Sequence, residues 1–468
     1  MLILSLLILF LTGILIISIL WPKEDNLNHF GLKFWLAFGI GSGITSITYF
    51  FYTLFLNTDL KGVIIPEIIL LAILVAILFF KKPEFGILHR KKEDILPKNT
   101  LSRVISISFF VTALSSLLSF IIFSLKNPHG NWDAWFIWNV HARFIYRLNH
   151  LTDFFQNSPE WSHPDYPLLI SATVARCWKY IGQEQILAPI IIAMLFTFGL
   201  VFLLSSSLSI LKTKNQGYLA GIIMLCTFTF IQQGTAQCAD IPISFFFLST
   251  IVLLGLKDKF NKNSLLILAG ITAGMSAWCK NEGILFVISI LTARFIALTV
   301  ENGFKIAVKE LALFFAGLIP ILSGIIYFKL HLSPVNDIFL NQGINDFVSR
   351  ILTPARYTEI FSQFLFTIKY YFGRLTGLPL LIIYGFLIGI NIKKEYKASI
   401  LTIIITLCIM FAGYFGIYLI SPHDLHWHLS TSLYRLLLQL WPAFLLLYFL
   451  IVKTPEEILD KLKLEENQ

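Results

Sequence analysis

The stretch SLLILAGITAGMSAWCKNEGILFVISILTARFIALT, residues 264–299, decides the fold of this chain. As one helix it would be about 54 Å long, whereas the hydrocarbon core of a bilayer is about 30 Å thick. The polar tetrapeptide Lys280–Gly283 lies near its middle. This tetrapeptide therefore predicts a turn between two membrane-spanning helices, 264–279 and 284–299.

Apolar runs of similar length recur along the whole chain. Of its 468 residues, 56% are hydrophobic and 13% are charged, whereas a soluble protein carries about 25% charged residues. The composition predicts an all-α polytopic membrane protein with about thirteen transmembrane helices. The predicted spans are 2–21, 32–56, 62–80, 101–125, 185–211, 218–233, 241–257, 264–279, 284–299, 309–330, 376–392, 398–420 and 438–453.

The charge and the cysteines exclude other classes of protein. The net charge is +9, but no basic patch stands apart from apolar sequence, so we expect no nucleic-acid partner. The five cysteines include no C-x-x-C pair and are interpreted as small apolar residues. Residues 2–21 follow no basic segment and precede no signal-cleavage motif, so we expect them to be a retained span.

Lysines and arginines in the short loops predict the orientation. They collect in 81–100, 212–214, 257–262 and 393–397. The positive-inside rule places these loops in the cytoplasm and the N-terminus outside. The alternation of spans then requires that 167–182 does not cross. We expect this segment to be a juxtamembrane helix in the outer interface of the first long loop.

The spans group into two regions. Residues 1–100 are predicted to be N-terminal transmembrane helices with a basic cytoplasmic loop, and 101–453 the main transmembrane module. Residues 454–468 are predicted to be a short cytoplasmic tail, which opens with a helix start. The outer loops of the main module are predicted at 126–184, 331–375 and 421–437.

The first long outer loop contains the sequence NWDAWFIWNVHAR at 131–143. Its three tryptophans are typical of the membrane–water interface. Asp133 lies among these rings, where a carboxylate that has lost part of its hydration is a candidate general base. The alternative for Asp133 and for Arg143 is a role as an interfacial anchor.

The sequence His163-Pro164-Asp165-Tyr166-Pro167 follows in the same loop. Its two prolines exclude a helix interior and predict an extended strip. In such a strip His163 and Asp165 point the same way, at a spacing that suits a metal ion or a phosphate. The alternative is a rigid connection to the juxtamembrane helix.

Further charged residues lie at the predicted outer ends of later spans. Asp240 opens the span 241–257, where it is either an ordinary helix cap or part of a site. Lys280 and Glu282 belong to the turn at 280–283, and the alternative for them is a polar turn without further function. Arg435 lies near the outer interface, where it needs an anionic partner unless it extends to the headgroups.

The last outer segment contains a cluster of histidines. His423, Asp424, His426 and His428 lie within six residues. Their side chains are candidate metal ligands. They lack a regular ligand spacing, so the sequence does not choose between a metal site and a polar loop.

These residues together resemble the GT-C superfamily of membrane glycosyltransferases. The branch concerned contains protein O-mannosyltransferases and the bacterial aminoarabinose transferase of lipid A. The resemblance covers about 101–300 and rests on Asp133, on His163-Pro164-Asp165, on Asp240 at the start of a span and on Lys280 after one. The chain has a single acid at Asp133 where many members have two, and Asp165 in place of a second proline.

The resemblance implies transfer of a sugar from a polyprenyl-phosphate donor to an acceptor hydroxyl on a glycan, lipid or protein. Asp133 would be the general base, and Lys280 and Arg435 would stabilise the departing lipid phosphate. The other expected substrate-binding residues, some of which could hold a divalent cation, are Arg143, His163, Asp165, Asp240 and Glu282. The expected location is a bacterial plasma (inner) membrane, with the site on the periplasmic or extracellular side.

Two other functions are compatible with the sequence. A lipid or polysaccharide transporter (a flippase) would place its polar site near the midplane, on broken helices in repeated halves. A non-catalytic membrane subunit predicts outer polar residues that do not converge. The glycosyltransferase prediction requires Asp133, Asp240, Lys280 and Arg435 to meet at one site.

Overall fold

A computed structural model describes residues 1–22, 30–55, 60–81, 100–148, 151–340, 342–374 and 377–458. Most of the predicted basic cytoplasmic loop 81–100 lies outside the described residues. Residues 459–468, the end of the predicted cytoplasmic tail, also lie outside them. The basic residues concerned are Lys82, Arg90, Lys91, Lys92 and Lys98.

The described part of the chain is built from α-helices. Their bounds are α1 Leu2–Leu20, α2 Phe30–Phe55, α3 Leu60–Lys81, α4 Thr100–Lys126, α5 Asn139–Arg147, α6 Leu151–Asn157, α7 Leu169–Ile181, α8 Leu187–Leu211, α9 Lys214–Leu225, α10 Phe230–Thr235, α11 Asp240–Phe260, α12 Ser264–Cys279, α13 Glu282–Asn302, α14 Phe304–His331, α15 Ile344–Ile351, α16 Pro354–Thr367, α17 Leu378–Ile388, α18 Lys397–Ile420 and α19 Leu425–Ile451.

The predicted fold class, an all-α polytopic membrane protein, is confirmed. Ten helices among the described residues are long and apolar enough to cross a membrane: α1, α2, α3, α4, α8, α11, α13, α14, α18 and α19. The shorter helices α12 and α17 are also apolar. Each of the thirteen predicted spans contains at least one helix, and the turn predicted around Lys280 separates α12 from α13.

Glycines allow α12 and α14 to pack backbone against backbone. A Cβ atom on Gly270 would lie 2.0 Å from the carbonyl oxygen of Phe314. One on Gly317 would lie 1.9 Å from the carbonyl oxygen of Ile267. Small residues permit such close approach between membrane helices, whose association depends on packing rather than on the hydrophobic effect.

The described basic residues of the short loops lie at one end of the helix bundle, which we call the basic end. Lys81 Nζ donates to the Ile19 carbonyl at 2.5 Å, which joins the ends of α1 and α3. Trp35, near the start of α2, stacks on Phe202, in the second half of α8. Lys259 Nζ donates to the last carbonyls of α8. The opposite end, which carries the turn at Lys280, is called the site end.

A buried ion cluster near the basic end ties three helices together. Arg294 of α13 donates to Asp258 of α11 at 2.8 Å and to Glu310 of α14 at 2.8 Å. Lys257 also pairs with Glu310. Because each charge in this cluster has an opposite partner, the cluster can be buried without an isolated charge.

The predicted juxtamembrane segment 167–182 is helical, and it is buried among neighbouring helices. Helix α7 is buried almost throughout and packs against α1, α2 and α5. Its Arg176 is fully buried and binds both carboxylate oxygens of Glu67 in α3. Arg176 also donates to the Ser5 carbonyl at 3.1 Å. The physical reason is Glu67, an acid inside an apolar span that requires a cation in the same interior.

The predicted span 218–233 is interrupted. Helix α9 has 12 residues, which corresponds to a length of about 18 Å. It begins at the basic end, where Gln216 Nε2 donates to the Lys453 carbonyl at 2.8 Å. The chain then turns through Thr229, whose φ is 71°, and α10 follows. Helix α9 therefore ends roughly halfway through a core of about 30 Å.

The segment 331–375, predicted as an outer loop, contains α16, which lies beside α18 and α19. Arg356 Nη2 donates to the Tyr418 carbonyl at 2.7 Å, and the Phe364 ring contacts the Tyr418 ring. Several α16 side chains remain exposed although they are large and apolar, including Phe361 and Leu365. These properties are typical of a helix in contact with lipid rather than of a polar loop.

The outer loop predicted at 421–437 is also mostly helical. Helix α19 begins at Leu425, because the Asp424 side chain accepts a hydrogen bond from the Trp427 N–H at 2.8 Å. An Asp in this position satisfies one of the free N–H groups of the first turn. Arg435 therefore lies on the third turn of a long helix, and not on a loop.

We predict that the buried pair between Glu67 and Arg176 is required for stability. Replacing Glu67 with Ala leaves a fully buried guanidinium without its carboxylate, which costs about 3–5 kcal/mol. The melting temperature of the purified protein in detergent should therefore fall by several degrees or more. The control is Glu184→Ala, which removes a partly exposed ion pair to Arg147 worth at most about 1 kcal/mol. Equal melting temperatures for the two variants would contradict the prediction.

Candidate functional site

Asp240 lies at the centre of a polar cluster at the site end. It is the first residue of α11, and its side chain is 4% exposed. Its Oδ1 atom accepts hydrogen bonds from Lys280 Nζ at 3.0 Å and from Gln439 Nε2 at 2.7 Å. Arg435 Nη1 lies 3.9 Å from Oδ2. A carboxylate here is stabilised by these three side chains and by the N-terminus of α11.

Arg435 connects Asp240 to Asp133. Its Nη1 atom donates to Asp133 Oδ2 in a direct ion pair. Its Nε atom is buried and has no hydrogen-bond partner among the described residues. The guanidinium therefore holds two carboxylates from distant segments and keeps one buried donor for a further acceptor.

Lys280 connects Asp240 to Glu282 and completes the cluster. Lys280 Nζ lies 2.7 Å from Glu282 Oε1. Burial lowers the pKa of Lys280, but the Asp240 and Glu282 carboxylates raise it by more, so the pKa is well above the ordinary value. Lys280 is consequently a permanent cation. We call the set of Asp133, Arg435, Asp240, Lys280 and Glu282 the ion-pair chain.

The loop that carries Asp133 is fixed to the turn before α11. The Asn131 N–H donates to the Ala236 carbonyl at 3.1 Å. Asn139 Nδ2 donates to Gln237 Oε1 at 2.8 Å, and both side chains are buried. These contacts hold Asp133 over the start of α11, where Arg435 reaches it.

The sequence around His163 forms a turn, so the predicted extended strip was wrong. The Tyr166 N–H donates to the His163 carbonyl at 2.9 Å, which closes a four-residue turn. Pro164 occupies the second position of this turn, where a proline is favoured. The φ of His163 is 50°, a conformation outside the extended region.

Asp165 holds this turn against the turn at 280–283 and the segment after α14. Its Oδ2 atom accepts from Asn281 at 2.7 Å and from Asn336 at 2.8 Å. Its carbonyl accepts from Lys329 Nζ at 2.5 Å, and Lys329 also donates to Asn281 at 2.8 Å. Asp165 therefore acts within the protein to position neighbours of Lys280.

Asp337 joins two histidines beside this turn. His423 Nε2 lies 3.1 Å from Asp337 Oδ2, and His163 Nδ1 lies 3.9 Å from the same oxygen. We call the residues that surround this contact the rim cluster: His163, Asp165, Asn281, Asn336, Asp337 and His423. Because Asn281 lies between Lys280 and Glu282, the rim cluster and the ion-pair chain meet at the 280–283 turn.

The histidines predicted as metal ligands near the end of the chain do not converge. His428 Nδ1 pairs with Ser421 Oγ at 2.9 Å, and His426 is exposed, 3.9 Å from Glu359. Among the described residues, no three His, Cys, Asp or Glu side chains are placed to hold a metal ion. The divalent cation expected from the resemblance stays a prediction.

Arg143 is separate from the other predicted site residues. Its Nε atom lies 3.4 Å from Glu184, which also binds Arg147. In the described part of the chain it makes no ion pair with the ion-pair chain, so its expected contact with substrate is not supported by the geometry. The other predicted site residues do come together. The ion-pair chain contains Asp133, Asp240, Lys280, Glu282 and Arg435, and the adjacent rim cluster contains His163 and Asp165.

Several polar residues of the site were missed in the sequence. Gln439 binds Asp240, and its Oε1 atom accepts from Tyr414 Oη at 2.8 Å. Its signal was a lone amide in an otherwise apolar span. Asn281, Asn336 and Asp337 gave no such signal, because polar residues in turns are common.

Residues 163–327 match the family described as Dolichyl-phosphate-mannose-protein mannosyltransferase. The predicted resemblance is confirmed there. The match supports a membrane glycosyltransferase of the GT-C type, and it includes His163, Asp240 and Lys280. Asp133 and Arg435 lie outside it. No curated protein and no solved structure matches the chain significantly.

We predict that His141, close to Asp133 in sequence, makes the fold sensitive to acid. His141 is fully buried against the Phe154 ring, and burial lowers its pKa to about 3. The unfolded chain, with a histidine pKa of about 6.5, binds a proton that the folded protein does not. Through this group the free energy of unfolding should fall by up to about 1.4 kcal/mol per pH unit as the pH drops below 6.5.

The test replaces His141 with Phe and measures thermal unfolding in detergent between pH 7.5 and 4.5. The variant should lose less stability on acidification than the wild type. His426→Phe, at a histidine that is 80% exposed, is the matched control and should keep the wild-type pH dependence. A His141→Phe profile parallel to the wild-type profile would refute the proposed role.

Proposed function

We propose that the chain transfers a sugar from a polyprenyl-phosphate donor to an acceptor hydroxyl at the site end of the bundle. The observation that carries this proposal is the ion-pair chain. Five charged residues from four separate segments meet there. They form consecutive ion pairs, with Asp133 at one end and Glu282 at the other. Acids and bases that converge in this way at a partly exposed centre suit chemistry, because a substrate can reach them.

Asp133 is proposed as the general base. It removes the proton from the acceptor hydroxyl while the acceptor oxygen attacks the anomeric carbon. The bond between that carbon and the phosphate oxygen breaks, and the lipid phosphate leaves with the electron pair. Asp133 is the most exposed acid of the ion-pair chain, at 24%, whereas Glu282 is 20% and Asp240 4% exposed. It is therefore the carboxylate that an acceptor can reach most readily.

Arg435 and Lys280 are proposed to stabilise the departing phosphate. The unused Nε donor of Arg435 and the permanent charge of Lys280 supply hydrogen bonds to an anion. In the resting site three carboxylates face these two cations, so the ion-pair chain carries one net negative charge. When Asp133 takes up the acceptor proton, its hold on Arg435 weakens. The cation is then released at the moment when the phosphate gains charge.

The remaining residues are proposed to position the substrates. Asp240 fixes Arg435 and Lys280 relative to each other, and Glu282 fixes Lys280 from its other side. His163 and Asp165 belong to the rim cluster, where Asp337 and His423 offer hydrogen-bonding groups to an acceptor. Placement in a plasma membrane, with the site end outside, follows from the short basic loops at the other end.

The first test replaces Asp133 with Asn, which cannot accept the proton. The release of polyprenyl phosphate from a panel of polyprenyl-phosphate hexoses and pentoses should fall about 100-fold or more. Asp424→Asn at the same end of the bundle is the control, because Asn caps a helix as well as Asp does. Undiminished turnover by correctly inserted Asp133→Asn protein would exclude Asp133 as the base.

The second test replaces Arg435 with Lys, which keeps the positive charge but loses the planar fork of donors. We expect kcat to fall by about 100-fold, with a smaller change in KM, because the lost contact forms mainly as the phosphate leaves. Arg147→Lys, at an exposed arginine, should leave both constants unchanged. A change in KM alone would indicate that Arg435 binds substrate without stabilising the leaving group.

A transporter is the second candidate function, because two helical segments are interrupted near half depth. One is α9–α10, and the other lies between α16 and α17. Discontinuous helices at the midplane are typical of transporters, but the accessible carboxylate of Asp133 beside Arg435 suits proton transfer in an enzyme. Movement of a fluorescent polyprenyl phosphate across vesicles without any sugar transfer would favour transport.

A further inference from the structure

Arg374 lies at a break between two helical pieces, at about half the depth of a membrane. The chain is helical from α16 to Phe372, and α17 begins at Leu378. Helix α17 has 11 residues, which gives about 16 Å. It ends at the basic end, where the Asn391 N–H donates to the Ile451 carbonyl at 2.8 Å. Its start is therefore about halfway through a hydrocarbon core of about 30 Å.

The break beside Arg374 faces the break between α9 and α10. The Arg374 guanidinium carbon lies 3.5 Å from the centre of the Phe228 ring, which belongs to the α9–α10 connection. It lies 5.1 Å from the centre of the Tyr370 ring. Both interruptions occur at similar depth, since α9 has 12 residues and also starts at the basic end. Arg374 thus lies where two broken helices meet.

Arg374 is exposed on the lateral surface of the bundle, without a carboxylate partner in the part of the chain that the structure describes. Its Nε atom donates to the Tyr370 carbonyl at 3.3 Å, and its other contacts are with the two rings. Exposed apolar side chains precede it on the same helical stretch, including Leu365 and Phe366, each 54% exposed, and Phe366 stacks on Tyr370. An arginine in such a setting is costly unless it binds an anion.

The lateral surface around Arg374 is continuous with the ion-pair chain. Tyr371 stacks on Tyr434 with ring centres 4.9 Å apart. Tyr434 precedes Arg435 in α19 and accepts a hydrogen bond from Gln233 at 3.2 Å. A molecule held at Arg374 would therefore lie next to residues that support Arg435.

We propose that Arg374, with Phe228 and Tyr370, binds the phosphate of a membrane-embedded lipid phosphate. We call this the lateral anion site. The rings hold the guanidinium by cation–π contacts and leave both Nη groups available for a bidentate phosphate contact. Its surroundings favour a lipid over free phosphate, because the site faces hydrocarbon at half depth. Identification of that lipid as the polyprenyl phosphate rests on the proposed function.

The lateral anion site explains how an anionic lipid could be held near a resting ion-pair chain that is itself net negative. The ion-pair chain attracts a phosphate weakly until Asp133 takes up a proton. Arg374 has no competing carboxylate among the described residues. We infer that Arg374 retains the lipid phosphate beside the ion-pair chain before and after transfer.

The experiment measures binding of a long-chain polyprenyl monophosphate to the full-length protein, by native mass spectrometry and by the rise in melting temperature. Arg374→Gln should weaken binding at least about tenfold, as expected for the loss of charged hydrogen bonds. Arg374→Lys should retain part of the affinity. Arg147→Gln, which removes an exposed arginine elsewhere, is the control and should bind as the wild type does.

Two comparison ligands identify what is recognised. The uncharged polyprenol should not distinguish Arg374→Gln from the wild type, and inorganic phosphate at the same concentration should not raise the melting temperature. If polyprenol binding depended on Arg374 as strongly as polyprenyl monophosphate binding, phosphate recognition would be overturned. An equal response to inorganic phosphate would overturn the assignment to a lipid.

The melting temperature without ligand separates binding from a structural role. If Arg374 only clamps the two broken helices, Arg374→Gln should melt well below the wild type. For a ligand site we expect the same or a higher melting temperature together with the loss of binding. Unchanged binding in Arg374→Gln, or a large loss of intrinsic stability, would overturn the proposal.

Failure of this proposal can be told apart from failure of the proposed function. If Asp133→Asn abolishes transfer while Arg374→Gln binds the lipid phosphate normally, the lateral anion site is wrong and the enzyme mechanism stands. If Arg374→Gln loses binding but Asp133→Asn turns over normally, the lateral anion site stands and the assigned base is wrong.

Discussion

The pairing of Arg435 with Asp133 and Asp240 is the interaction on which the arrangement of the site end depends. A guanidinium buried between helices is tolerated only where carboxylates surround it. Because Asp133 belongs to the first long loop, this pairing places that loop against the start of α11. Helix α19 begins at Leu425, well before Arg435, so Arg435 is held on a rigid helix level with Asp133 and Asp240. Lys280 then neutralises the second carboxylate, Asp240, from the adjoining turn.

The membrane imposes a different constraint on the rest of the chain. Charged groups inside the bundle occur as closed sets, such as Glu67 with Arg176 and Arg294 with Asp258 and Glu310. These ion pairs hold helices together where the hydrophobic effect provides little driving force for their association, because the surrounding lipid is also apolar. The ion-pair chain differs from them because two of its acids are partly exposed, Asp133 at 24% and Glu282 at 20%.

The sequence was informative wherever a local pattern had one physical outcome. The helical hairpin around Lys280 was predictable because its length excludes a single span. The requirement of Arg435 for an anionic partner was predictable as well, but which acid supplied it depended on how distant segments pack. The burial of α7 was not predictable, because Glu67 is a single acid within an apolar run and gives no indication of its partner. The turn at His163 was not predicted, because two closely spaced prolines also favour an extended strip, whereas Pro164 occupies the second position of a turn.

The charge balance links the two anion-binding places. With three carboxylates and two cations, the resting ion-pair chain disfavours a phosphate, and one proton on Asp133 removes that obstacle. Proton uptake by Asp133 and stabilisation of the leaving phosphate by Arg435 are then coupled. Arg435 therefore stabilises the phosphate more in the transition state than in the ground state. The same logic requires that the lipid phosphate be held elsewhere while the site is at rest. Arg374 meets that requirement, because it lies at half depth between two broken helices with no carboxylate to neutralise it in the described part of the chain.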